Sequence, residues 1–334
     1  MDQLELLRKV HEDWRPSDAT RNEGKAILFG AIELDAGHHT SSRQRTRRSR
    51  AIGFSALGAG ALTVALVLTN VVGLAGWRGG ADAAAASVLQ KAAHAAITTA
   101  DIDVQPGHFL QVDTTILSTA GLSTATGDGE VQFRESYSLY VPAEQSDEWV
   151  FVRRPIKLER TWGPKSEEAA AGLPQESTVT EVERAANGEF DGHRSAFDPA
   201  GWPRDPYRVL NRIYLLTLGT GPSPDGEALV FIADALRQGT VPADLRAAML
   251  EAAAMIPGVT IVDKQATLDG RSGVAIGRFE EGWGTRQEIL IDPSTGQMIG
   301  TREVVVTQRP DSELAPGTVR SSSTISLREV SDAP

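Results

Sequence analysis

The chain has 334 residues, a net charge of −11, 41% hydrophobic residues and 23% charged residues. That length suggests roughly two structural units, and the composition excludes wholesale disorder. Cysteine is absent, which excludes a disulfide framework, a Cys-ligated zinc or iron–sulfur site, a thiol nucleophile and a lipoprotein anchor. The acidic balance argues against nucleic acid as a partner, because phosphate binding needs cationic surface.

Charge is distributed in blocks. Residues 1–50 carry a net +2, residues 51–78 carry a single Arg78, and residues 79–334 carry a net −14. Within the first block, Leu4, Leu6, Leu7 and Val10 form an apolar patch on a short helix that ends near Arg15-Pro16. Asp18 heads a second helix bearing Ala26, Ile27, Phe29, Ala31 and Ile32. These residues are too many for a purely topogenic tail and too few for a self-sufficient core. The arm therefore reads either as a dock for a cytoplasmic protein or as a tail lying on the membrane. His38-His39 has no third ligand beside it, so no metal is expected.

Ala51–Trp77 is a run of 27 residues without a charge. As a helix it reaches about 40 Å, enough for a hydrocarbon core of roughly 30 Å. Arg43, Arg45, Arg47, Arg48 and Arg50 precede it and only Arg78 follows. Positive charge stays on the cytoplasmic side, so the expected protein sits in the cell membrane as a single-pass span, N-terminus inside and C-terminal domain outside. Arg47-Arg48 and the small-x-small sites Ala81-Asp82-Ala83 and Ala83-Ala84-Ala85 also fit an exported, cleaved segment. The run is, however, far longer than the roughly 7–15 residues of a signal core. Ala61, Ala65, Thr69 and Gly73 form a small-residue stripe that would let two membrane helices approach and form a homodimer.

The remainder divides into a helical stalk at 78–104, with a helix over Ala83–Ala100, and an extracytoplasmic α+β domain at 105–334. His108–Leu117 alternates Leu110, Val112, Thr114 and Ile116 on one face. Gly129–Pro142 does the same with Val131, Phe133, Tyr137, Leu139 and Val141. Strands follow at Glu148–Arg153 and Ile156–Trp162, with a weaker one at Ser177–Arg184. Helices are expected at Asp205–Leu218, Asp225–Arg237 and Ala243–Ile256, the last stopped by Pro257-Gly258. Strands return at Val259–Asp263, Gln265–Leu268, Arg271–Phe279, Thr285–Asp292, Gln297–Thr307 and Thr318–Val330. Short turns at Asp269-Gly270 and Asp292–Gly296 force antiparallel pairing. The expected architecture is one curved, half-barrel-like antiparallel sheet of about ten strands with a helical insertion on its concave face. Leu229, Phe231, Leu245, Met249 and Ile256 should be buried between the layers.

The residues carry little that points to chemistry. No nucleophile elbow, phosphate loop, zinc-protease motif or calcium loop is present. His94, His108 and His193 fall in separate elements, and Glu167-Glu168 and Glu280-Glu281 fall in expected loops. No catalytic, cofactor-binding or metal-ligating set is expected. Arg153, Arg154, Lys157 and Arg160 form a basic cluster that reads as a salt-bridged strand edge or as a contact for anionic headgroups. Trp149, Phe151 and Trp162 read as core or as the lining of an apolar cleft.

Several stretches carry a resemblance. Met1-Asp2-Gln3-Leu4-Glu5-Leu6-Leu7-Arg8, the Arg43–Arg50 run, Ala248-Met249-Leu250 and Ile256-Pro257-Gly258-Val259 are similar to an actinobacterial family of single-pass membrane proteins of unknown function. Arg271-Ser272-Gly273-Val274-Ala275 and Ile289-Leu290-Ile291-Asp292-Pro293-Ser294-Thr295-Gly296 extend the likeness. It implies the topology above and a companion role beside an extracytoplasmic sigma factor, reached through the N-terminal arm. The outer strand and turn pattern also resembles the half-barrel of lipoprotein carriers and envelope-stress regulators. Two functions are expected to compete: a membrane-anchored ligand-binding or anti-sigma-like regulator, and a membrane-tethered lipid or lipoprotein handler.

Overall fold

The protein is described by a computed structural model over residues 80–99, 101–173, 178–190, 193–194, 198–310 and 312–334. The arm at 1–50 and the expected span at 51–77, with its small-residue stripe, lie outside the described residues. Among the described residues no helix is long and apolar enough to cross a membrane.

Helix α1 (Ala83–Thr98) starts where Asp82 accepts the Ala85 N–H at 2.8 Å, which satisfies one of the orphan donors of its first turn. Its alanine-rich face buries Ala85, Leu89, Ala92, Ala93 and Ala96, small enough for close packing on α5 below. Helix α2 spans Pro164–Ala171. Helices α3 (Pro206–Leu216) and α4 (Pro224–Arg237) each begin with proline behind an accepting cap, Asp205 to Arg208 N–H and Ser223 to Gly226 N–H. Helix α5 spans Ala243–Ala253.

The strands are β1 (Phe109–Thr124), β2 (Gly127–Pro142), β3 (Glu148–Arg153), β4 (Lys157–Thr161), β5 (Glu181–Ala186), β6 (Glu189–Phe190) and β7 (His193–Arg194). After the helices come β8 (Thr260–Leu268), β9 (Arg271–Glu280), β10 (Thr285–Asp292), β11 (Gln297–Val305) and β12 (Val319–Val330). Ten of them form one open antiparallel sheet in the order β5-β3-β2-β1-β12-β11-β10-β9-β8, with β4 on β2; β6 and β7 pair separately. The fold is α+β, as expected. The first strand pairs with the last, from Phe109 opposite Val330 to Leu117 opposite Ser322, and this ladder welds the strands before the helices to those after them. Asp269 and Gly270 both take positive φ, 51° and 73°, the conformation a two-residue hairpin turn requires.

The principal core lies between α1, α3, α4, α5 and one face of β9–β12. Leu210, Ile213, Leu229, Ile232, Leu245, Met249, Leu250 and Ile256 meet Ile276, Ile289, Ile291 and Ile325 there. Phe231 departs from expectation: it is half-buried and stacks on Trp202 at 5.5 Å. The strands β1–β3 contribute nothing to this core; they form a small cluster of their own around Tyr140, Val150 and Val152, and α2 packs beside Gly129 of β2.

Several boundaries differ from the sequence reading. Glu167 and Glu168 sit in α2 and not in a loop; Pro164 starts the helix, and Glu168 accepts the Ala125 N–H and the Thr126 hydroxyl. Strand β5 starts at Glu181, four residues late. The two strands expected at 259–268 are one strand with register shifts between Ile261 and Ala266. Glu280 ends β9 and is buried.

Candidate apolar binding cleft

Antiparallel register aligns side chains in rows across β1, β2 and β3. Val112 lies opposite Leu139, and Leu139 opposite Phe151. The adjacent row is Thr114, Tyr137 and Arg153. Because side chains alternate between faces, these six residues share one face, which α2 covers only beyond Gly129, toward the β1–β2 turn. The Tyr137 and Phe151 rings are 5.2 Å apart, and Phe190 from β6 stacks on Phe151 at 5.6 Å, both within the range of favourable aromatic pairs. Arg237 and Gln238, at the end of α4, close the other side. The result is a cleft of about 310 Å³ lined by Val112, Thr114, Tyr137, Leu139, Phe151, Phe190, Arg237 and Gln238.

A single glycine controls how the α4–α5 connection crosses this face. Gly239 has φ of 70°, and a Cβ there would stand 2.5 Å from Leu327 Cδ2 and 3.2 Å from Val112 Cγ1. Only glycine meets both demands. Beyond this crossing the face continues into a second cavity of about 310 Å³, lined among others by Leu110, Val141, Val241, Leu327 and Arg246. Arg246 is buried and donates to Val241 O at 2.9 Å and Asp101 Oδ1 at 2.8 Å.

The charges at the first cleft are already paired. Arg153 reaches Glu181 at 3.5 Å and lies over the Phe151 ring at 5.3 Å; Arg237 pairs with Asp234 at 2.9 Å. What is left inside is hydrocarbon, aromatic faces and the hydroxyls of Thr114 and Tyr137. Such a site holds an apolar body with one or two polar anchors.

The residues singled out from the sequence scatter. Phe151 lines the cleft. Trp149 shares its face but donates Nε1–H to Gln145 O at 2.9 Å, packed under the Gly188 turn. Trp162 is half-buried outside the cleft. His94 is exposed on α1, His108 Nδ1 is 2.8 Å from Glu329, and His193 lies in β7. Among the described residues no cluster of three or more metal-ligating side chains occurs. Of the basic cluster, Arg153 forms a salt-bridged edge with Glu181; the neighbouring two-point bond at 2.8 Å, to Glu159, comes from Arg134, outside the cluster. Arg154 instead donates to Ser138 Oγ at 3.0 Å. The sequence reading missed Phe190, Arg237 and Gln238 as site residues; the Asn187-Gly188 turn that brings Phe190 near Phe151 was the available signal.

A buried polar network ties the helices to β9. Arg278 donates to Pro257 O at 2.9 Å and to Ser223 Oγ at 3.0 Å, contacts Glu280, and stands 3.7 Å from Asp225. Tyr214 donates to Asp225 at 2.6 Å. Burial pushes the Arg278 guanidinium below its ordinary pKa, and Asp225 opposes that. Ser223, Asp225 and Tyr214 from the helices and Pro257 from the α5–β8 connection converge on Arg278 and Glu280 of β9, which is a fastening between the layers.

No protein-family model matches the chain, and no curated protein is significantly similar to it.

Proposed function

We propose that the chain is a single-pass cell-membrane protein whose extracytoplasmic domain binds an apolar, lipid-like ligand and carries out no reaction. The observation that carries this reading is the aromatic-lined cleft on the half of the sheet that adds nothing to the principal core. Half-barrel curvature of that sheet, with the cleft on its concave side, belongs to the same reading, as does the likeness to lipoprotein carriers. The uncharged run Ala51–Trp77 and the arginines before it support the anchor and the orientation. The alternative function, an anti-sigma-like regulator, uses the same cleft as a sensor and the arm at 1–50 as the dock. It is supported by the apolar residues Leu4, Leu7, Val10, Ile27, Phe29 and Ile32.

The test is the ligand itself. Full-length protein purified from its own membranes should carry acyl-chain species, seen by mass spectrometry after organic extraction. Leu139→Trp, which fills the cleft, should lose them. Equal lipid content in both proteins would count against the cleft as the binding site.

A further inference from the structure

The helices define two ends of the outer domain. At one end α1 begins where α5 finishes: Ala81 N–H donates to Ala254 O at 3.0 Å and Asp82 N–H to Val259 O at 2.9 Å. Helix α3 runs alongside α5 in the same direction, since Arg204, just before α3, reaches Asp244 in the first turn of α5 at 2.6 Å. Leu215 and Leu216 therefore finish near the C-terminus of α5. The start of α4 and the β9–β10 turn join the same end through Ser223 and Glu280, 2.8 Å apart, and through the bond from Arg278 to Pro257.

That end is apolar at its surface. Leu215, Leu216 and Leu218 are 61%, 57% and 71% exposed, and Phe279 and Trp283 are 41% and 39% exposed. Single exposed apolar residues are ordinary, but a group of them marks a contact surface. The buried face of α3 is already filled by Val209, Leu210, Ile213 and Tyr214, so the three leucines have no place in the core.

The chain also enters the domain here. Gly80 packs so closely on α5 that a Cβ would lie 2.7 Å from Ala254 O. Only Arg78 and Gly79 separate it from Trp77, where the uncharged run ends. Two extended residues and their flanking bonds reach roughly 10 Å. Resting on the single-span reading above, we propose that Leu215, Leu216, Leu218 and Trp283 dip into the outer leaflet and hold this end of the domain on the bilayer. Glu281, exposed two residues before Trp283, stands where an anionic surface would need a cation, so the contact is apolar insertion and not headgroup attraction. Helix α4, 14 residues long, then spans about 21 Å. It holds Arg237 and Gln238, at the mouth of the cleft, away from the membrane.

The absence of cysteine makes the test direct, because any introduced thiol is unique. Full-length Leu218→Cys and Ser146→Cys variants are spin-labelled and reconstituted in phosphatidylcholine vesicles. Ser146 lies in the β2–β3 turn, whose neighbours Ala143 and Gln145 face Asp101 and Pro242 at the opposite end of α5. The label at 218 should be reached preferentially by membrane-soluble oxygen, and the label at 146 by a water-soluble nickel chelate. If both labels report water while the protein resists alkaline extraction, the surface contact is overturned and the single-span reading stands. If alkali releases the protein from the vesicles, both fall.

Discussion

The Asp101 carboxylate accepts the Ala243 backbone N–H at 2.9 Å and the Arg246 guanidinium at 2.8 Å. A residue in the connection between α1 and β1 thus caps α5 from outside, where the helix's own cap position holds Pro242, which offers no side-chain acceptor. Asp101→Ala should cost about 1 kcal/mol for the lost cap. Leaving the buried Arg246 short of an acceptor adds a further 1–3 kcal/mol or so. Asp101→Asn keeps an oxygen for Ala243 and should lose less. Denaturant unfolding of the two variants orders them.

Arg278 sits between two carboxylates that have little water to fall back on. Arg278→Met leaves Asp225 and Glu280 without their cation and should destabilise the fold by about 3–5 kcal/mol. Leu229→Ala, an apolar truncation in the adjacent core, should cost about 2–5 kcal/mol. If Arg278→Met were neutral in the same unfolding assay, the network would not be the fastening between helices and sheet described above.

Acid should loosen the start of α5. The hydrogen bond from Arg204 is the main cause holding the Asp244 carboxyl below its ordinary pKa. A depressed carboxylate contributes its stabilisation above the unfolded value, roughly 3.9, and loses it as pH falls through the lower folded value. The pair is well exposed, so the effect is small. The melting temperature of the wild type should exceed that of Asp244→Asn at pH 6, and the two should converge as pH drops below the carboxylate range.

Topology has its own readout. A reporter fused after Pro334 that works only outside the cytoplasm should be active in intact cells. Activity of a cytoplasm-only reporter at that position would reverse the orientation read from the arginines before Ala51.

Local features were legible in the sequence because local physics makes them. The alternation over Val131–Val141 marks β2, the Asp269-Gly270 pair marks a hairpin, and Pro257-Gly258 follows the end of α5. The short turns make the antiparallel pairing within each half of the sheet readable, but they do not by themselves require the two halves to join. The β1–β12 pairing joins residues some two hundred positions apart, and no short-range pattern encodes it. Glu167-Glu168 looked like a solvated loop, yet the bonds from Ala125 and Thr126 to Glu168 belong to a helix packed on the β1–β2 hairpin. In the cleft, Phe151 was visible as an aromatic on a strand. Phe190, Arg237 and Gln238 reach it from elements that only the folded chain brings together.

The central claim is that the Val112–Leu139–Phe151 face binds an apolar ligand, and photolabelling tests it most directly. Full-length protein in membranes is exposed to a fatty acid bearing a diazirine on its chain, irradiated, digested and mapped by mass spectrometry. Adducts should concentrate on Tyr137, Leu139, Phe151 and Phe190 and disappear in Leu139→Trp, with the melting temperature of that variant confirming that it is folded. Adducts confined to other surfaces, or unchanged by Leu139→Trp, would contradict the account.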